Sequence, residues 1–329
     1  MMIRFSKFLM LLVLVSVFAN GVSAQDALIG KWEIVAETPQ GDQKSVWTFS
    51  SADGKISGES VSENSGEATE FKDVKLEGEE VTFSIDIEIQ GNELTLELTA
   101  QLSGQSLTGN WVALDQGGNE LATGDLSGTK DVTEVVFGGK SMDNFRGYKK
   151  EAIGGGWKVE DGTLHFDGSG GGDIITKKEY GSFELTFDWK ISEAGNSGVM
   201  YRVKQGDKYP FFTGVEYQIL DNDKHRDGKK RETSAAAMYA LYPPGDAKPR
   251  TVGEWNSSKI VSNGDKVEHW LNGEKVVAVE IGGEKWKEKI AASKFAKWEK
   301  FGKSKRGHIA FQDHGDKVWY RDIKIKALD

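Results

Sequence analysis

Residues Gly195 to Asp221 read G-N-S-G-V-M-Y-R-V-K-Q-G-D-K-Y-P-F-F-T-G-V-E-Y-Q-I-L-D, and this stretch decides the fold. Two β-like runs flank a segment holding Gly206, Asp207 and Pro210, the pattern of two strands joined through a turn region. Successive side chains of a strand point to opposite faces. Val215, Tyr217 and Ile219 therefore share one face, and Glu216 and Gln218 share the other. In the first run Val199, Tyr201 and Val203 alternate with Met200 and Arg202, so pairing of the two strands puts Arg202 on the face of Glu216. A carboxylate, an amide and a guanidinium then converge on one wall. That wall is either a solvated outer face or the floor of a polar ligand cleft.

The composition extends this reading to the whole chain. Its 329 residues are enough for two domains, and 40 Gly, 10 Trp and 16 Phe against 5 Pro suit many strands and turns. A formal charge of −9 opposes binding to a phosphate backbone, so nucleic acid is not an expected partner. Arg4 and Lys7 precede the apolar run Phe8 to Phe18, and Val22-Ser23-Ala24 supplies small residues at a cleavage position. Residues 1–24 thus read as a signal peptide cut after Ala24, which implies export to a periplasm or the outside. The sequence contains no cysteine, so neither a disulfide nor an acylated cysteine is available to it. No later apolar run is long enough to span a bilayer.

Residues 25–130 read as a small antiparallel β domain. Val81, Phe83, Ile85, Ile87 and Ile89 alternate with polar residues, Gly91-Asn92 turns the chain, and Leu94, Leu96 and Leu98 follow. Tryptophans at Trp32 and Trp111, each after a Gly-Lys or Gly-Asn pair, make the region similar to lipocalin-like barrels. It is read as an accessory barrel or sandwich. The second domain, 131–329, begins at the strand-like Val135-Val136-Phe137. Asp161-Gly162 and Asn272-Gly273 are hairpin turns, and Phe183 to Ile191 alternates cleanly. His165 reads as structural, and His225 and Asp227 as members of a charged surface loop. Tyr239 and Tyr242 offer aromatic faces beside the sheet. Glu284 to Phe301 reads as one helix, with Trp286, Ile290, Phe295, Trp298 and Phe301 on its apolar side. Gln312 and His314 stand two apart and share a face.

The motifs N-S-G-V-M-Y-R and G-V-E-Y-Q-I-L-D, followed in order by G-E-W-N (Gly253 to Asn256), V-E-H-W-L-N-G (Val267 to Gly273) and G-H-I-A-F-Q-D-H-G (Gly307 to Gly315), resemble the 3-keto-disaccharide hydrolase family. The same family is described as 3-keto-glucoside lyases or hydratases. I-T-K-K-E-Y-G-S-F-E-L (Ile175 to Leu185) belongs to the same set, and the resemblance runs from about Glu134 to Leu328. One departure is Phe137-Gly138-Gly139-Lys140, where the family has F-N-G-K. The resemblance implies an all-β, concanavalin-like jelly-roll sandwich acting on an oxidised glucoside or disaccharide.

The chemistry implied is elimination: a ketone at C3 acidifies the C2 proton, the glycosidic bond breaks, and the 2-hydroxy-glucal intermediate is hydrated. Such a route asks for a base, a partner for the enolate oxygen and an acid. Glu216 or His314 is the candidate base and Arg202 or His269 the oxyanion partner. Gln218 and Gln312 orient hydroxyls, with Asp221 and Tyr239 as further substrate contacts. No cofactor is demanded, while a divalent metal assisting the enolate stays open, as does the oligomeric state. An ordinary glycosidase needs two carboxyls across the bond. Glu216 has no partner at strand spacing, and Asp221 has the wrong parity unless the strand bulges. A sugar-binding module without catalysis is the competing class, since fold alone does not choose.

Overall fold

The structure, a computed structural model, describes residues 23–89 and 91–328, so most of the expected signal peptide lies outside the described residues. The chain divides into two compact units, Met1–Asp131 and Val132–Asp329.

In the first unit a short helix, α1 (Ala24–Leu28), precedes nine strands: β1 (Gly30–Ala36), β2 (Gln43–Ala52), β3 (Lys55–Ser62), β4 (Ala68–Glu70), β5 (Lys72–Glu77), β6 (Glu80–Ile89), β7 (Asn92–Ser103), β8 (Ser106–Leu114) and β9 (Glu120–Asp131). They form one sheet in the order β4-β3-β2-β1-β9-β8-β7-β6-β5. The alternating residues do what their period dictates: Val81, Phe83 and Leu98 turn inward and pack with Trp32, Trp47 and Trp111. The sheet curls at Phe71, whose N–H donates to Gly58 O at 2.8 Å while its ring stacks on Phe83 with centroids 4.1 Å apart. Gly58 is required there, because a Cβ would lie 2.5 Å from the Phe71 ring.

The second unit holds β10 (Thr133–Phe137), β11 (Phe145–Gly147), β12 (Trp157–Glu160), β13 (Thr163–Phe166), β14 (Ile174–Thr176), β15 (Phe183–Ile191), β16 (Asn196–Val203), β17 (Val215–Leu220), β18 (Asn256–Asn263), β19 (Lys266–Leu271), β20 (Glu274–Glu280), β21 (His308–Phe311) and β22 (Val318–Ala327). A larger sheet runs β12-β13-β22-β15-β18-β19-β20, with β10 also on β22, and a smaller one runs β11-β14-β21-β16-β17. Between them Val199, Tyr201, Val215, Tyr217, Ile219, Ile309 and Phe311 of the small sheet meet Phe183, Leu185, Phe187, Trp189, Ile260 and Tyr320 of the large one. This is the sandwich of an all-β, jelly-roll-like protein.

Two local departures from simple period shape the site. The pairing of β16 with β21 shifts between Met200 and Val203, an extra residue that makes a bulge, with Arg202 in the left-handed region at φ 59°. Arg202 thereby leaves the face of Met200 and Glu216, contrary to the alternation of the sequence. It is buried and donates to Ser262 Oγ at 2.9 and 3.1 Å and to Gly264 O at 2.6 Å, bracing one sheet against the other. The expected helix over Glu284 to Phe301 also breaks. α2 (Glu284–Ala291) stops, and Ser293 accepts from Phe295 N at 3.1 Å, opening a separate 3-10 turn at Lys294–Lys297. A serine that bonds the backbone locally competes with helix continuation.

Replacing Arg202 by Met strands Ser262 Oγ and the Gly264 carbonyl inside the sandwich. We expect a loss of about 2 kcal/mol or more, read as a Tm lower by roughly 4–8 °C, with the Michaelis constant for substrate unchanged. An unchanged Tm accompanied by lost activity contradicts the bracing role.

Candidate active site

The outward face of the small sheet carries the site. Ile175, Met200, Val203 and Ala310 form a small apolar patch there, with Tyr148 and Phe211 against it. Register places Glu216 beside Met200 and Gln218 beside Gly198. Gly198 leaves a hollow that the Glu216 side chain fills, since a Cβ at that position would fall 2.3 Å from Glu216 Oε1. The carboxyl therefore lies down across β16 and is only 8% exposed. In the amide orientation that satisfies both neighbours, Gln218 donates to Glu216 Oε1 at 3.2 Å and to Ser197 O at 3.0 Å.

Above this floor is a cavity of about 210 Å³, lined by Asn196, Phe211, Glu216, Gln218, Tyr239, Lys294, Phe295, Trp298, Gln312 and His314. Its volume is below the roughly 300–1,000 Å³ of pockets for drug-sized ligands and suits a single sugar ring. Phe211, Phe295 and Trp298 form one wall, with Trp298 5.5 Å from Phe211 and 5.2 Å from Phe295 between centroids. At the mouth His314 Nε2 is 3.3 Å from Asn196 Nδ2, and His225 of the loop after β17 crosses its ring edge-on at 6.4 Å. Three buried polar side-chain atoms among the described residues have no hydrogen-bond partner. Two of them, Asn196 Oδ1 and Gln312 Oε1, belong to residues of this cavity. Acceptors left unpaired in a buried site are costly, about 1–3 kcal/mol each, unless a donor arrives. Hydroxyl groups are such donors.

Electrostatics single out Glu216. Burial pushes its carboxyl up to about 8, opposed by Lys294 and reinforced by Asp173 and Asp227. Asp173, itself pushed up to about 7 by burial, accepts Asp313 N–H at 2.8 Å, and Asp227 accepts from Tyr239 OH at 3.3 Å. Among the described residues, no group of three or more His, Asp and Glu is arranged to hold a metal ion.

Of the residues named from sequence, Glu216, Gln218, Tyr239, Gln312 and His314 line this cavity. Three do not. Arg202 is turned into the sandwich by the bulge. His269 is fully buried between the sheets, bonded to Tyr201 OH at 3.0 Å and Ala236 O at 3.1 Å, and desolvation lowers its pKa to about 4, so it stays neutral. Asp221 is buried at the end of β17, accepting from the N–H groups of Ala194, Asp223 and Lys224, and it pins a loop. Asn196 was missed from sequence, although its shared parity with Gly198 and Met200 could have found it. Lys294 was missed because a continuous helix gives no reason to aim it here. A larger open groove of about 930 Å³ lies behind α2 and shares Trp298 with the cavity, but no orphaned buried atom belongs to its lining.

Residues 133–326 match the family described as the 3-keto-alpha-glucoside-1,2-lyase-like domain. The chain belongs to this family. A 3-keto-disaccharide hydrolase of Bacteroides thetaiotaomicron is 37% identical over 228 residues, 59% of this chain and 78% of the relative. A candidate glycosyl hydrolase of Parabacteroides distasonis, known from a crystal structure, is 38% identical, with a TM-score of 0.56 over 60% of this chain and 94% of that one. A second from the same organism is 27% identical, with a TM-score of 0.48 over 60% of this chain and 99% of its own. The family match falls on the same strands whose motifs resemble 3-keto-disaccharide hydrolases, and every residue lining the cavity lies inside it.

The raised carboxyl has a measurable sign. The folded state keeps a proton on Glu216 between its ordinary value of 4.5 and about 8, so folding stability falls as pH rises through that window. Glu216→Gln removes this contribution. Thermal melts of the two proteins should diverge as pH rises from about 5 to 8, the variant becoming the more stable. Parallel curves would show that the carboxyl is not desolvated.

Proposed function

We propose that this chain is an exported enzyme that cleaves 3-keto-glucosides or 3-keto-disaccharides by elimination followed by hydration. The observation that carries the reading is the desolvated carboxyl of Glu216, among the described residues the one carboxyl lining a one-ring cavity whose Asn196 and Gln312 acceptors await hydroxyl donors. The named activity of the Bacteroides relative supports the substrate class. The apolar run Phe8 to Phe18, after Arg4 and Lys7, supports export.

With the ring on that floor, ionised Glu216 takes the C2 proton, and the electron pair of the C–H bond moves to give an enolate at C3. Collapse of the enolate forms the C1=C2 double bond and breaks the bond from C1 to the leaving oxygen. His314 at the mouth passes a proton to that oxygen. Water then adds across C1=C2, its oxygen bonding C1 as it gives a proton to His314 while the Glu216 proton returns to C2. Both residues regain their starting states, and glycoside plus water gives 3-keto-glucose plus the free alcohol. A carboxyl whose pKa sits near working pH is well matched to removing a proton beside a ketone. The two other carboxyls coupled to Glu216 are tied to the Asp313 N–H and the Tyr239 hydroxyl, which favours a route with one carboxyl over the paired mechanism of ordinary glycosidases. The aromatic wall offers an apolar face to the ring.

Incubation of the purified protein with a 3-keto-glucoside of p-nitrophenol, a leaving group that needs no proton from His314, should release p-nitrophenol, with kcat/KM rising with pH to a plateau above about 8 as Glu216 ionises. Glu216→Gln should lose about 10²-fold or more. Full activity in that variant removes the base assignment, falling activity over the same pH range makes Glu216 the acid instead, and binding without turnover makes the cavity a recognition site. Intact-mass analysis of protein recovered outside the cytoplasm should start at Gln25; retention of Met1 contradicts the cleaved signal peptide.

A further inference from the structure

We propose that Lys294 is a catalytic residue whose ammonium group holds the C3 oxygen of the bound keto-sugar and carries the negative charge that forms there when the C2 proton leaves. This rests on the elimination reading above and supplies the group it lacks.

The sequence offered Arg202 and His269 for this task, and the fold takes both away: one is locked onto Ser262 and Gly264, and the other is neutral between the sheets. Among the described residues lining the cavity, Lys294 is the one lysine or arginine. Its position follows from the break in the helix. Ser293 caps a new turn, Lys294 is the first residue of that turn, and its neighbour Phe295 is buried as part of the cavity wall.

The side chain is aimed by aromatic rings. Nζ lies 4.2 Å from the centroid of Tyr239 and 5.4 Å from that of Phe295, both of which line the cavity. A cation resting on a ring face is attracted to it without being neutralised. The Tyr239 ring is fixed in turn, because its hydroxyl donates to Asp227 Oδ2 and its backbone N–H to Glu216 O. Glu216 and Lys294 thus stand at one cavity, where burial lowers the Lys294 ammonium below the usual lysine range and the Glu216 and Asp227 carboxyls oppose that shift. Deprotonation beside a ketone moves charge from the base to the ketone oxygen, so a base and a cation lining one ring-sized space are the two poles that the step needs. Loss of one such charge-stabilising donor costs roughly 10²–10³ in rate.

The test uses the full chain and a substrate analogue that has no leaving group, the 3-keto derivative of 1,5-anhydroglucitol, in D2O. Only enolisation is open to it, and proton NMR follows exchange at C2. Wild type should exchange this proton. Lys294→Met should slow both exchange and glycoside cleavage by about 10²-fold or more, with a much smaller change in KM. Lys294→Arg should recover part of the rate, since it keeps the charge. Lys294→Gln gives a second uncharged variant should the methionine disturb the wall. Exchange at the wild-type rate in both uncharged variants overturns the role of Lys294 while leaving the elimination reading intact. Absence of exchange in wild type itself overturns the elimination reading, and this role with it. A reduced covalent adduct on Lys294 after borohydride treatment of wild type with the analogue also overturns the proposal, because the amine then acts by forming an imine.

Discussion

A carboxyl laid across a strand that has no side chain to receive it is the constraint on which the site depends. Gly198 provides the hollow, Glu216 fills it, and the Gln218 amide closes over one carboxyl oxygen. Any side chain at position 198 would lift the carboxyl off β16. With it in place, burial raises its proton affinity, and the remaining wall has to be built from groups that tolerate a protonated or ionised acid: amides, aromatic rings and one amine set on a ring. A stable fold is spent here on an uncomfortable group, a common mark of functional sites.

The two sheets divide the work. The large sheet and the inward face of the small one supply the buried core, in which Tyr217 OH reaches Ser258 Oγ at 2.7 Å and Tyr201 OH reaches His269, so that the hydroxyls of the interior are used up internally. The outward face of the small sheet is left to hold a ligand, and segments outside the sheet complete it: the short turn Pro210–Phe212 gives Phe211, the loop after β17 gives Tyr239, and the turn at Lys294–Lys297 with its neighbour gives Phe295 and Trp298. Rigid strands hold the acid and amides. Connecting segments supply the aromatic wall and the amine, the usual division between scaffold and loops.

What was legible in the sequence followed from period. The alternation of Val215, Tyr217 and Ile219 with Glu216 and Gln218 is strict, so parity placed both polar groups on one face, and Gln312 with His314 followed by the same rule. Arg202 escaped because a bulge at a non-glycine residue leaves no mark in the alternation, and its partner Ser262 is 60 residues away. His269 was misplaced because burial between the sheets keeps it neutral and the groups that bond it there, the Tyr201 hydroxyl and the Ala236 carbonyl, come from other segments. Lys294 was hidden by a real apolar period running through Ser293: the aromatic residues belong to one wall, but the backbone between them is not one helix. Alternation reports faces; it does not report where the hydrogen bonding of a single serine or a bulge resets them.

Every role given to these side chains requires the sugar ring to occupy the small cavity of the outward face. The most direct measurement is a crystal structure of Glu216→Gln with a 3-keto-glucoside bound. The ring should lie against Phe211 and Trp298 over position 216, with hydroxyls donating to Asn196 Oδ1 and Gln312 Oε1 and the alcohol portion projecting past His314. A sugar seated instead in the open groove behind α2, beside Trp286 and Lys303, with the small cavity holding only water, would contradict it.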